Sequence, residues 1–204
     1  MRYFANPTTG TGPAMASGLL SLINTPRQRA GLPAGVEWCA DNGCFGKDYV
    51  GDERWLAWLK SYTPEQVKAC RFATAPDVVG DAVATLELAA RWLPVIAGLG
   101  YVPALVAQDG LELLDIPWDT FGALFIGGST AWKLGPAVPP LVSEAKARGK
   151  WVHLGRVNSQ RRLEYAAAIG CDSADGTYLT FGPTKNLPHV LAWLRKVNSQ
   201  TVFF

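Results

Sequence analysis

Short apolar segments and helix-like segments alternate along the whole of this chain, and that alternation constrains its fold more than any other feature. Strand-like stretches are read at Arg2–Ala5, Glu37–Ala40, Cys70–Ala73 with Val78–Val79, Val102–Ala107, Ala123–Ile126 and Trp151–Leu154, and another strand end begins at Cys171–Asp172. Helices are read at Ala14–Ile23, Glu53–Tyr62, Asp81–Gly98, Pro139–Arg148, Gln160–Ile169 and Asn186–Val197. In the last of these, Leu187, Val190, Leu191 and Leu194 recur at the spacing of one buried helical face. Repeated βα units demand a parallel sheet with helices outside it, and about seven or eight of them favour a closed barrel over an open doubly wound sheet. The chain has 204 residues, at the low end of the ~200 that a (β/α)8 barrel needs. A compact α/β barrel of the TIM type is therefore expected, with very short strands or some irregularity. Pro- and Gly-containing stretches are only loop-sized, so residues 1–204 read as a single domain.

Composition removes several function classes. A hydrophobic content of 49% and a mean hydropathy of +0.08 exclude a disordered chain. No apolar stretch reaches the length of a membrane span, and the N-terminus (MRYFANPTTG) lacks the apolar core of a signal peptide. A cytoplasmic protein without a membrane partner is expected. Cys39 and Cys44 lie close together, but no second pair and no neighbouring His completes a zinc ligand set. No metal is expected, and the four cysteines read as small buried thiols. The net charge of +2 neither announces nor excludes a nucleic-acid partner, because a local patch matters more than the total.

Four segments end in short polar runs: Trp38–Phe45 (WCADNGCF), Ala123–Thr130 (ALFIGGST), Trp151–Ser159 (WVHLGRVNS) and Gly170–Thr177 (GCDSADGT). An α/β barrel presents catalytic groups at the carboxyl ends of its strands in this way. Asp41 and Asp172 are unpartnered carboxylates in two of these runs, which points to carboxylate chemistry. Each motif also has a plainer reading. Asp41 with Gly43 can make an ordinary turn. Either Asp77 or Asp81 caps the long helix that follows, Asp81 being better placed, or a carboxylate there binds a ligand amine. The Gln108 amide offers a donor and an acceptor to the edge of a heterocyclic base. Gly127 and Gly128 either admit a phosphate or base close to the backbone or form a turn. Arg156, Arg161 and Arg162 grip phosphates or are simply solvated. The loop Cys171–Thr177 holds two carboxylates that can supply a nucleophile or cap turns, metal binding being the poorest option.

Other enzyme classes lose support. Gly10-Thr11-Gly12 lacks the third glycine of a dinucleotide fingerprint, Met15 standing there. No G-x-S-x-G elbow exists, and His153 and His189, both within apolar segments, read as core or surface positions. The tryptophans of Arg54–Leu59 (RWLAWL) read as core rather than interface.

Taken in order, the strand-end motifs resemble those of the base-exchanging transglycosylases related to queuine tRNA-ribosyltransferase. The family pattern of Asp-Ser-Gly-Gly-Phe, an acidic segment, Gln-Gly, Gly-Gly, a Gly before a helix and a late Phe-Asp is matched by Asp41–Phe45, Pro76–Asp81, Gln108–Gly110, Phe125–Gly128, Leu154–Arg156 and Cys171–Thr177. Asn42 and Cys44 stand where the family has Ser and its second Gly, and nothing matches the Cys-rich zinc region of the tRNA enzymes. The short length and Gly-Arg-Val-Asn-Ser-Gln-Arg-Arg look closer to the phage and bacterial branch that modifies DNA. The resemblance implies exchange of guanine in DNA for a 7-deazaguanine, such as 7-cyano-7-deazaguanine, in the cytoplasm (a host's, if phage-encoded) and without a cofactor. It makes Asp172 the nucleophile and Asp41 the general acid/base, with Asp81 or Asp77, Gln108, Gly127, Gly128, Asn42 and Phe45 around the base. It makes Arg156, Arg161, Arg162, Lys133 and Lys185 phosphate contacts. A homodimer or a partner protein supplying further nucleic-acid surface stays open. So do the same chemistry on tRNA, glycosyl transfer or hydrolysis on nucleosides, and a non-catalytic nucleic-acid-binding barrel, which would leave Asp41 and Asp172 far apart.

Overall fold

The computed structural model describes residues 1–28, 31–46 and 49–200. Eight parallel strands close into one barrel in chain order, as the βα alternation requires. They are β1 (Arg2–Ala5), β2 (Ser21–Asn24), β3 (Trp38–Ala40), β4 (Cys70–Thr74), β5 (Pro103–Ala107), β6 (Ala123–Ile126), β7 (Trp151–Leu154) and β8 (Ser173–Gly176), which pairs back onto β1. The helices are α1 (Gly12–Ala16), α2 (Asp52–Lys60), α3 (Pro64–Ala69), α4 (Ala82–Gly98), α5 (Thr130–Lys133), α6 (Val138–Ala147), α7 (Gln160–Ala168) and α8 (Pro183–Gln200). None of the described helices is long and apolar enough to cross a membrane.

Three local readings change. The single helix expected over Ala14–Ile23 stops at Ala16, and Ser21–Asn24 forms β2. Gly18, at φ +73°, reverses the chain between them, and the Leu20 amide closes the turn onto the Ala14 carbonyl. Helix α3 was not anticipated, although Thr63 and Gln66 form a reciprocal capping box with Pro64 in the first turn. Val78–Val79 is loop, not strand.

Period-two alternation divides the strand side chains between two cores. Outward residues such as Leu22, Trp38, Leu105, Leu124 and Val152 pack against the helices. Trp55 and Trp58 of α2 join this layer, so the tryptophan-rich helix is core. Inward residues Phe4, Ile23, Cys39 and Phe72 fill the barrel with Phe125 and Trp151, and the small Ala104 and Ala123 make room for the rings. Between the pairs Trp38–Cys70 and Ala40–Ala73, two residues of β4 oppose the single Cys39. This irregularity lets both Arg71 and Phe72 reach the interior. Glu37 accepts from Arg2, Arg71 and Ser21, and the Arg71 guanidinium lies 4.5 Å from the centre of the Trp151 ring. The amino end of the barrel is thus plugged by a charge network, and the carboxyl end is left to hold a ligand.

Candidate active site

A cavity of about 150 Å³ opens at the carboxyl ends of the strands. Asp41, Asn42, Phe45, Asp77, Gln108, Gly127, Gly128 and Arg156, all expected site residues, line it together with Asp175. They come from the ends of six different strands and meet only because the barrel closes.

Asp41 continues β3 by one residue, its amide donating to the Asn24 carbonyl at 2.9 Å, which keeps its side chain inward. Gly43 then turns the chain at φ +78° and donates its amide to Asp41 Oδ1 at 3.1 Å. The half-buried carboxyl lines the cavity. Burial raises its pKa to about 7; the Gly43 amide opposes the rise, and the neighbouring charges of Asp175 and Asp77 add to it. A carboxyl poised near neutrality can both give and take a proton.

Asp77 lines the cavity between Asn42 and Gln108. Its Oδ1 accepts from Asn42 Nδ2 at 2.8 Å and its Oδ2 from Gln108 Nε2 at 2.6 Å. Burial raises its pKa, while these two amides hold it down. A carboxylate has about four acceptor sites, so about two remain for a ligand's N–H donors. Gln108 Oε1 in turn accepts from the amides of Gly80 and Gly128, at 2.9 and 3.1 Å. Gly127 has a packing reason to lack a side chain: a Cβ there would lie 2.9 Å from Val106 Cγ1 and 3.0 Å from Gln108 Nε2.

The second carboxylate beside Asp41 is not the one the resemblance named. Asp172 precedes β8 at the closed, amino end of the barrel and points outward, where both its oxygens accept from Lys146 at 2.7 Å and one from the Val152 amide at 2.8 Å. Asp41 and Asp172 are therefore far apart, as the non-catalytic alternative required. Asp175 of the same segment stands at the cavity instead. It lies inside β8 at the open end and lines the cavity. Its Oδ1 meets His153 Nε2 at 3.0 Å and the Arg156 amide at 3.3 Å. Among the described residues, Oδ2 has no hydrogen-bond partner.

Arg156 adopts φ +61°, a left-handed conformation costing a non-glycine residue roughly 1–2 kcal/mol. The bend turns its guanidinium across the mouth, donating to the carbonyls of Gly127 and Gly128 and stacking 4.1 Å from the centre of the exposed Phe45 ring.

The remaining expected contacts scatter. Asp81 caps α4, accepting from the Ala84 amide at 3.0 Å, and does not line the cavity. Lys133 is buried and donates to the Gly155 carbonyl at 2.6 Å, so it cannot meet a phosphate on the surface. Burial lowers its pKa to about 7, with Arg156 adding to the fall. Arg162 donates to the Arg156 carbonyl at 3.3 Å and supports the bend. Arg161 and Lys185 are exposed, on α7 and α8. Among the described residues, no group of three His, Cys, Asp or Glu side chains is placed to hold a metal. Cys39, Cys70 and Cys171 are buried, and Cys44 is half-buried. A larger cleft of about 590 Å³ lies on the amino side between β1 and α8, remote from these carboxylates.

Sequence reasoning saw both carboxylates of Cys171–Thr177 but did not choose Asp175, and it placed His153 in the core without its contact to that carboxylate. Strand parity puts Asp172 and Asp175 on opposite faces but does not say which face is inward. In Ser173-Ala174-Asp175-Gly176 a small, polar residue alternates with a small, apolar one, and Asp175 rather than Asp172 stands beside the strand's carboxyl end.

No protein-family model and no curated protein matches the chain. Among solved structures it is similar to tryptophan synthase from M. tuberculosis. The aminoacrylate- and BRD0059-bound form matches with a TM-score of 0.51 at 14% identity, over 97% of this chain and 91% of that one. The open form with BRD0059 bound matches with a TM-score of 0.53 at the same identity and coverage. At that identity the likeness is one of fold.

Proposed function

We propose that this protein is an enzyme of the pentosyltransferase class, a transglycosylase that replaces guanine in DNA with a 7-deazaguanine base. The observation carrying this reading is the meeting of Asp41 and Asp175 in one cavity with the Asp77–Gln108–Gly127–Gly128 cradle. The cavity is smaller than the ~300–1,000 Å³ of ordinary small-molecule pockets, which suits one planar base rather than a whole nucleotide.

In the first half-reaction, Asp175 Oδ2 attacks C1′ as the C1′–N9 bond breaks through an oxocarbenium-like transition state. The bonding electrons leave with guanine, which takes a proton from Asp41. In the second, Asp41 removes the N9 proton of the incoming base. That nitrogen bonds to C1′, and the C1′–Oδ2 bond breaks to return the Asp175 carboxylate. Asp77 and Gln108 hold the edge of the base, and Phe45 and Arg156 cover the mouth.

The rim supports a nucleic-acid substrate. Phe45 and Val79 are exposed beside the cavity, and Phe181 follows β8 at 83% exposure. Exposed rings offer bases a stacking surface, and Arg161 and Lys185 offer phosphates a charge. A base in a duplex has to be flipped out, at a cost of a few kcal/mol.

The test is base exchange. Purified protein is incubated with duplex DNA or tRNA and radiolabelled guanine or 7-cyano-7-deazaguanine, beside an Asp175→Asn control. Label entering DNA alone, and only with Asp175 present, is the expected result. Label in tRNA would move the reading to the tRNA reaction. No label in either polymer, from folded protein, would leave a nucleoside-level enzyme or a binding barrel.

A further inference from the structure

Behind Asp175 a chain of hydrogen bonds runs down the barrel interior. Trp151 Nε1 donates to Ser173 Oγ at 2.8 Å, Ser173 Oγ lies 2.8 Å from His153 Nδ1, and His153 Nε2 lies 3.0 Å from Asp175 Oδ1. All four side chains face inward because residues 151, 153, 173 and 175 obey the strand period, and the sheet register pairs His153 directly with Ser173. His153 and Ser173 are fully buried. The imidazole stacks on Phe125 with ring centres 4.6 Å apart and meets Phe4 and Phe72 edge-on, so packing holds its plane.

The donors in this chain have a direction. An indole N–H can only donate, so the Ser173 oxygen accepts from Trp151. Among the described residues, the only other hydrogen-bond partner of that hydroxyl is His153 Nδ1. Were Nδ1 the donor, the buried Ser173 proton would have no acceptor among the described residues; that proton therefore points to Nδ1, which makes Nδ1 an acceptor and leaves the ring proton on Nε2, facing Asp175.

We propose that Trp151, Ser173 and His153 form a positioning chain that sets the His153 tautomer so that its Nε2–H clamps Oδ1 of Asp175 and leaves Oδ2 aimed into the cavity. The inference rests on Asp175 being the nucleophile of the reaction above. No proton travels along the chain. Its work is to hold the carboxylate's rotamer for attack on C1′, and to stabilise the returning negative charge when the C1′–Oδ2 bond breaks. A chain that merely satisfied buried polar atoms would affect stability and leave turnover alone.

The experiment combines kinetics with nitrogen-15 NMR of histidine-labelled protein. Wild type is expected to show a bare Nδ1 and a protonated Nε2 for His153. Loss of a hydrogen bond to a charged group is worth roughly 1.5–3 kcal/mol, which converts to about 10–150-fold in rate. Folded Ser173→Ala should therefore lose about 10–100-fold in kcat, with the KM for the incoming base within about twofold. Trp151→Phe keeps an aromatic ring and loses the N–H, and should show a smaller loss with the same split. His153→Gln, which can still present an N–H, should exceed the apolar His153→Leu by about tenfold in kcat. A protonated Nδ1 in wild type overturns the proposal, as does unchanged kcat in folded Ser173→Ala and His153→Leu. Wild type that exchanges no base overturns the transglycosylase reading instead, and the chain is then decided by the nitrogen spectrum: a bare Nδ1 supports it, a protonated one rejects it.

Discussion

Asp172 and Asp175, three residues apart in one segment, point to opposite faces and opposite ends of the barrel wall. An odd offset on a strand reverses the side, and three residues advance the chain by ~10 Å. Asp172 consequently pairs with Lys146 of α6 outside the barrel, and Asp175 enters the cavity inside it.

On the proposed reading, that division separates catalysis from stability. Asp175→Asn should abolish base exchange by at least about a thousandfold while leaving the melting temperature nearly unchanged. Asp172→Asn should retain exchange within about threefold. Breaking the half-exposed Lys146 pair should cost about 1 kcal/mol, a fall of roughly 2–4 °C in Tm. Parallel kinetics and melting curves check both, and equal activity loss in the two variants would reject the assignment of Asp175.

Asp41 ties pH to both rate and stability. In the proposed mechanism its protonated form serves the departing base, so kcat/KM for release of guanine should fall as pH rises through about 7. The folded pKa lies above the ordinary 3.8, so the folded protein holds this proton more tightly than the unfolded chain. The stability it contributes is full at low pH and is lost as pH rises from about 4 to about 7. Asp41→Asn should remove both trends. Denaturant titrations at pH 5 and 8 that show wild type and variant with identical pH dependence would contradict the raised pKa.

On the transglycosylase reading, Gly127 sets the size of the base pocket. Gly127→Ala would press a methyl onto Val106 and the Gln108 amide. The Gln108–Asp77 bond should loosen, and KM for the incoming base should rise about tenfold, with kcat less affected. Steady-state kinetics on the folded variant measure this, and an unchanged KM would mean that the base binds elsewhere.

The cations divide by burial. Arg161→Ala and Lys185→Ala should each lower the slope of log affinity for DNA against log salt by about one, and Lys133→Met should leave the slope unchanged. Lys133 should appear instead in stability. With its folded pKa lowered from 10.5 to about 7, the unfolded chain binds the proton more tightly between those values. Stability should thus rise with pH across that window, and Lys133→Met should flatten the rise. Filter binding across a salt series and melts from pH 7 to 10 decide these points.

Much of the molecule was legible from local chemistry alone. The βα alternation called for a parallel sheet, because hydrophobic periodicity is a property of neighbouring residues, and the count of units favoured a closed barrel over an open sheet. The same holds for the N-cap role of Asp81 and for the strand-end positions of Asp41, Asn42, Asp77, Gln108, Gly127 and Gly128. Tertiary structure decided which end of a strand a residue occupies and which way it faces. In Cys171–Thr177 both carboxylates were visible, but the register of β8 against β1 and β7, set by pairing with residues far away in the chain, chose Asp175. Only packing could bury Lys133, which reads in sequence as any surface lysine, and only closure of the barrel could bring His153, Ser173 and Trp151 into line behind the carboxylate. A one-residue shift of register exchanges the inside of a barrel for its outside, and no local pattern fixes that choice where polar and small residues alternate with so little contrast.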